Sequence, residues 1–132
     1  MVKKALETSK VVIITNARKG WVEFSSNFFM PRLHEVIMKY VKIISARVNY
    51  EDQHPYDTYR WKELAFMSLW EEKGFLDEYA LTNLIAVGDS MLEMEAARNF
   101  AESSDKCLAK LIKFRENPTF QELKKELSVL NA

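Results

Sequence analysis

The sequence predicts an α/β fold, a mostly parallel sheet of about four strands with helices on both faces in a three-layer sandwich. Three observations carry this expectation. Four short β-branched or apolar runs recur along the 132 residues, separated by segments of helical apolar spacing. The first run is continuous rather than alternating, as in a strand covered on both faces. Regular alternation of strand and helix implies right-handed βαβ units, and so parallel pairing.

VVIIT, residues 11–15, is the first strand. Apolar spacing then reads as a helix over 21–29, and Pro31 opens or kinks a second helical segment that runs to Tyr40, because proline suits the first turn of a helix and not its interior. VKIIS, residues 41–45, is the second strand. Over 58–73, Trp61, Leu64, Ala65, Met67, Ser68 and Leu69 fall largely on one side of a helix, with Gly74 as its C-terminal stop. NLIAVG supplies the third strand, 84–88, and the next helix covers 90–101. The fourth strand, 107–114 in CLAKLIKF, alternates more, as an edge strand does. Thr119 and Glu122 form a capping-box signature before Phe120, Leu123 and Leu127. Without repeats, low-complexity tracts or linkers, 1–132 reads as one domain.

Composition narrows the function. Hydrophobic residues at 48% and charged residues at 29% describe a globular chain. Lys+Arg and Asp+Glu both total 19, which argues against a general nucleic-acid or anionic-membrane surface. Trp21, Trp61 and Trp70 sit on amphipathic helices, where a core role outranks a base-stacking platform. No apolar run approaches the ~20 residues of a membrane span, and MVKKALETSK lacks the apolar stretch of a signal peptide. Cys107 is the only cysteine, which fits a reducing, cytoplasmic setting.

In open α/β sheets, ligands bind beyond the carboxyl ends of the strands. That rule selects the loops at 15–20, 45–47 and 88–93. In the last, Gly88 permits a tight exit, Asp89 stands at the tip, and Glu93 follows four positions later, a spacing that brings two carboxylates to one helix face. Such a pair suits a hard cation such as Mg2+. Equally, Asp89 reads as a helix N-cap and Glu93 as a first-turn acid favoured by the dipole. Thr15 and the adjoining Asn16 offer polar groups to a phosphate oxygen at the end of the first strand, or are ordinary strand-end residues. Lys62 can reach a phosphoryl oxygen or the crevice carboxylates, or is a solvated helix lysine. His34 and His54 lack partners at metal-ligand spacing. Ser25, Ser26 and Ser90 show no base partner, and Gly-Asp-Ser-Met is not a nucleophile elbow.

Taken together, Thr15 closing VVIIT, Lys62 in YRWKELAF, and Gly88-Asp89 with Glu93 in LIAVGDSMLEMEAA resemble the second, third and fourth motifs of the haloacid dehalogenase (HAD) superfamily. VVIITNARKGWVEFSSNFFMPRL is similar to a subgroup of HAD-like hydrolase proteins whose threonine strand runs into a loop and helix containing Gly-Trp. VKIISAR continues the likeness in register, which spans about residues 5–127. The resemblance implies a Rossmann-like sheet and Mg2+-dependent phosphoryl transfer on a phosphorylated small molecule. It implies that Thr15 and Asn16 hold the phosphoryl oxygens and that Lys62 neutralises charge there. It also implies that Asp89, with Glu93 assisting, positions a weakly held Mg2+. Positioning and charge neutralisation are what phosphoryl transfer chiefly requires.

The family attacks with the first aspartate of an Asp-x-Asp motif, and this sequence has none. Its aspartates are Asp52, Asp57, Asp77, Asp89 and Asp105. MVKKALETSK resembles the helix that leads from the family's nucleophile strand into the threonine strand, so the chain is expected to begin one βα unit late. That strand would lie between the strands at 11–15 and 84–88. Unpaired buried backbone costs about 1–3 kcal/mol per group, so direct pairing is expected, in the order 107–114, 84–88, 11–15, 41–45. Pairing with another chain across the gap is the alternative, giving a dimer through exposed strand edges in place of a monomer. The 26 residues from 47 to 72 leave little room for a cap domain. Two functions compete: a HAD-like domain without its nucleophile, truncated or degenerate and without turnover, and a non-enzymatic α/β binding module. A flavodoxin-like or receiver-like domain ranks last, because the acidic cluster of a receiver is not assembled.

Overall fold

The computed structural model describes residues 1–72, 76 and 80–132. The fold is mixed α/β: among the described residues, seven helices accompany four strands, which pair in parallel as two small two-stranded sheets. The described chain divides into two compact units, Met1–Trp61 and Lys62–Ala132.

In the first unit, α1 (Val2–Leu6) precedes β1 (Val12–Thr15), and α2 (Trp21–Phe29) and α3 (Pro31–Tyr40) cross to β2 (Lys42–Ser45). The register runs from Val12 opposite Lys42 to Thr15 opposite Ser45, so both strands end on a hydroxyl residue at the same level. Pro31 occupies the first turn of α3, as expected of a residue without an N–H to satisfy there. A short helix, α4 (Ala46–Tyr50), follows β2 directly, which the apolar pattern does not announce. Ser45 explains it: its hydroxyl accepts the Val48 N–H and caps the turn.

The helix α5 (Thr58–Glu71) begins in the first unit, where Asp57 Oδ1 accepts the Arg60 N–H at 2.9 Å. Its buried stripe is Trp61, Lys62, Ala65, Phe66 and Leu69, while Leu64, Met67 and Ser68 lie at the margin. Lys73 and Gly74, expected as its last residue and its stop, lie outside the described residues, as does Asp77.

In the second unit, β3 (Thr82–Gly88) and β4 (Cys107–Lys113) pair from Thr82 opposite Cys107 to Gly88 opposite Lys113. The helix α6 (Met91–Glu102) connects them, and α7 (Phe120–Asn131) follows. The core gathers Ala65, Phe66, Leu69, Met94, Ala96, Ala97 and Phe100. Phe100 sits between rings: Trp70 stacks on it at 4.5 Å and Phe66 tilts against it at 6.2 Å. The Thr119–Glu122 capping box opens α7 as expected.

Two expectations change. Among the described residues the strands form two two-stranded sheets and not one four-stranded sheet: 84–88 pairs with the 107–113 strand and 12–15 with 42–45. Each pair that forms joins strands adjacent in sequence through one crossover, the connection with the least loop to close. Nor is β3 covered on both faces. Leu84 and Ala86 turn inward while Asn83, Ile85 and Val87 are exposed, Ile85 at 56%. No described helix is long and apolar enough to cross a membrane.

Candidate functional site

In the first unit the chemistry gathers where β1 and β2 end. The Thr15 hydroxyl accepts the Ala17 N–H at 3.0 Å, closing a local turn. Ser45, beside Thr15 in the ladder, donates to the Ala17 carbonyl at 2.8 Å. The loop after β1 is thereby held by both strand ends. Accepting through oxygen leaves the Thr15 O–H able to donate to an anion. Asn16 donates through Nδ2 to the Thr58 carbonyl at 3.0 Å, while its Oδ1 is buried and has no hydrogen-bond partner among the described residues. An acceptor left so costs stability unless a donor visits it.

Nearby, Arg47 and Glu51 form a two-bond ion pair at 2.8 and 2.9 Å, with the Arg47 guanidinium 5.9 Å from the Trp61 ring. The hydrogen bonds from Arg47 hold the Glu51 carboxyl below the usual range. Trp61 donates its indole N–H to the His54 carbonyl at 2.7 Å. These contacts fix the chain leading into α5.

Ser26 does have an imidazole partner, which its sequence neighbours do not reveal: its Oγ lies 2.8 Å from His34 Nδ1. Ser26 also donates to the Glu23 carbonyl at 3.1 Å and is almost wholly buried. The hydroxyl thereby links α2 to α3.

In the second unit the loop 88–93 is built around Glu93. The helix α6 begins at Met91 with Ser90 as N-cap, so Asp89 precedes the helix and Glu93 lies in its first turn. The Ser90 N–H donates to Glu93 Oε2 at 3.1 Å, and the Ser90 hydroxyl donates to the same oxygen. The other carboxylate oxygen, Oε1, lies 3.0 Å from Lys62 Nζ. Lys62 is 4% exposed, not a solvated surface lysine. Burial pushes the Glu93 carboxyl up, but the hydrogen bonds from Ser90 and Lys62 and the Lys62 charge outweigh it, leaving it below the usual carboxylate range.

A side chain at Gly88 would crowd Glu93. A Cβ there would meet Glu93 Cγ at 3.0 Å and Cβ at 3.1 Å. Asp89 is exposed, and its carbonyl accepts Lys113 Nζ at 3.2 Å.

The structure thus brings Lys62 and Glu93 together, and leaves Asp89 exposed just before α6. Among the described residues no three His, Cys, Asp or Glu side chains gather as a metal site. Glu93 Oε2 accepts from the Ser90 N–H and hydroxyl and Oε1 faces Lys62, whereas the Asp89 side chain is exposed. Ser90 and its bond to Glu93 escape a reading centred on Asp89, although Ser90-x-x-Glu93 carries the same capping signature as Thr119-x-x-Glu122. Comparison with protein-family models, curated proteins and solved structures returns no match.

Proposed function

We propose that this chain is a HAD-like hydrolase-superfamily domain of phosphatase-type ancestry that, with no Asp-x-Asp in its sequence, turns over no phosphate ester. In this reading the two parallel strand pairs derive from a Rossmann-like sheet. The observation that carries the proposal is the buried Lys62–Glu93 pair at 3.0 Å, which ties the helix lysine to the loop of the Gly-Asp motif. A lysine is rarely taken fully out of water unless paired, and the resemblance assigns these same two positions to one charge-handling centre. The turn closed on Thr15, with its hydroxyl hydrogen available, further supports a phosphate-binding role for Thr15 and Asn16.

Lys62 then serves as a fixed positive charge beside the Gly88–Glu93 turn, and Asp89 as a weak contact for Mg2+. A cation held by one carboxylate and water keeps most of its hydration shell, so its affinity is on the order of millimolar.

Two measurements test the reading. Incubation with 4-nitrophenyl phosphate and Mg2+ should give no turnover above buffer; a substantial rate lost in Asp89→Asn would show that a nucleophile is present after all. Backbone NMR should show inorganic phosphate shifting the Thr15–Ala17 amides, and Mg2+ shifting the Asp89 and Ser90 amides at millimolar concentration. Neither set responding would favour the second reading, a non-enzymatic α/β binding module, which the exposed apolar face of β3 supports.

A further inference from the structure

The most conspicuous unused feature is a row of aromatic rings on the outside of α2. Trp21, Phe24 and Phe28 recur at helical spacing on one side, and Phe29 stands beside them. The rings form a continuous ladder, with centroids 6.1 Å apart from Trp21 to Phe24, 6.1 Å from Phe24 to Phe28, and 4.9 Å from Phe28 to Phe29. All four are between 54% and 70% exposed. The one polar side chain within the stripe, Ser25, donates its hydroxyl hydrogen inward to the Val22 carbonyl at 3.3 Å. The opposite side of α2 already has a partner, since buried Ser26 meets His34 of α3.

We propose that this stripe is a self-association surface, on which α2 of one copy packs antiparallel against α2 of a second copy of this chain. Area, charge and the make-up of the helix select that occupant. Taking roughly 200 Å² for a whole aromatic side chain, the four rings offer about 500 Å² per copy. A two-fold pairing then buries about 1,000 Å², the lower bound of a specific interface. A stripe of uniform chemistry is complementary to itself, which an isologous contact requires. Rings already stacked lose little side-chain freedom on docking.

Charge fixes the direction. Arg18 and Lys19 are exposed just before α2, whereas its last turn carries no basic residue. Antiparallel packing sets these cations against the partner's C-terminal carbonyls, where the helix dipole favours them. A bilayer is the poorer occupant. The polar residues of α2 are Glu23, Ser25, Ser26 and Asn27, none basic, whereas helices that lie on membranes carry Lys and Arg on that side.

The test is sedimentation of the full chain between about 1 and 100 µM, the range suited to an interface of this size. The wild type should pass from monomer to dimer. Phe24→Glu and Phe28→Glu should each weaken association roughly 30-fold or more, as loss of a central aromatic anchor does, with unchanged far-UV circular dichroism. Phe120→Glu, at an equally exposed ring on α7, should leave it unaltered. Isotope-filtered NOEs in a mixed-label dimer should connect Phe24 and Phe28 ring protons between copies, a readout independent of any variant. A chain monomeric throughout the range overturns the proposal. So does a dimer that survives Phe28→Glu, intermolecular NOEs confined to other residues, or a monomer captured by phosphatidylcholine–phosphatidylserine vesicles through this stripe.

Discussion

Lys62 Nζ and Glu93 Oε1 stand 3.0 Å apart, joining the successive helices α5 and α6 of the second unit through an ion pair whose lysine is withdrawn from solvent. Glu93 serves two masters at once, since its other oxygen caps its own helix through Ser90. Removing Glu93 takes a carboxylate 3.0 Å away from a buried lysine, and truncating one member of a buried pair costs more than the pair contributes. Glu93→Ala should therefore destabilise the protein by about 2–3 kcal/mol, a buried-pair loss discounted for the partial exposure of the glutamate. Lys62→Met, which keeps the stem volume, should cost less. The double variant should be more stable than the summed single effects by about 1–3 kcal/mol. Urea unfolding followed by circular dichroism measures all three, and strict additivity would show that the pair is not coupled.

The same carboxylate sets an acid limit. Its folded pKa is depressed, so the stabilisation is fully present above the unfolded value, about 4.3 for glutamate, and is lost as pH falls through the folded value. Wild type should lose stability below about pH 4.5 more steeply than Glu93→Gln. The two unfolding free energies should converge toward pH 3, with the gap between them constant at pH 6–7. A gap that widened on acidification would contradict the depressed value.

Any constraint on Gly88 comes from its neighbour Glu93 rather than from its own backbone, which has no positive φ. A Cβ at 3.0 Å from Glu93 Cγ requires the glutamate or the strand end to give by a few tenths of an ångström. Gly88→Ala should cost about 1–3 kcal/mol, the usual toll of overpacking. In a Glu93→Ala background the penalty should shrink, because the closest atom is gone. Equal penalties in both backgrounds would place the strain elsewhere.

At the other sheet, Ser45→Ala removes the donor to the Ala17 carbonyl and the acceptor of the Val48 N–H. A loss of about 1–2 kcal/mol is expected. Hydrogen exchange at the Val48 amide should rise more than at Ile13 in the β1–β2 ladder. Uniform acceleration would point to global destabilisation instead.

How much of this could be read from the sequence follows the range of the forces involved. The helices over 21–29 and 31–40 and the capping box at Thr119 are set by neighbours within a few residues, and their signals lie in the chain itself. The strands were legible as apolar runs and their parallel sense as strand–helix alternation. Their arrangement into two pairs was not, because it depends on which ladders close over distance. For Ile85 and Val87, a continuous apolar run reads the same whether one face or two are covered. Lys62 looks like any surface lysine until Glu93 is opposite it. Conversely, Trp21 has the spacing of a core residue and is exposed, and no local rule distinguishes the two.

Cys107 opens β4 opposite Thr82 and is 9% exposed, the single thiol of the sequence. Burial pushes that thiol up from its ordinary range, so two barriers guard it: it must come into contact with water and then ionise. A thiol reagent therefore acts on this protein as a clock. At saturating reagent and alkaline pH, the labelling rate equals the frequency at which the β3–β4 edge comes open, and at low reagent it gives the population of the open form. One native atom thus separates how often that sheet breathes from how long it stays open, without a foreign probe.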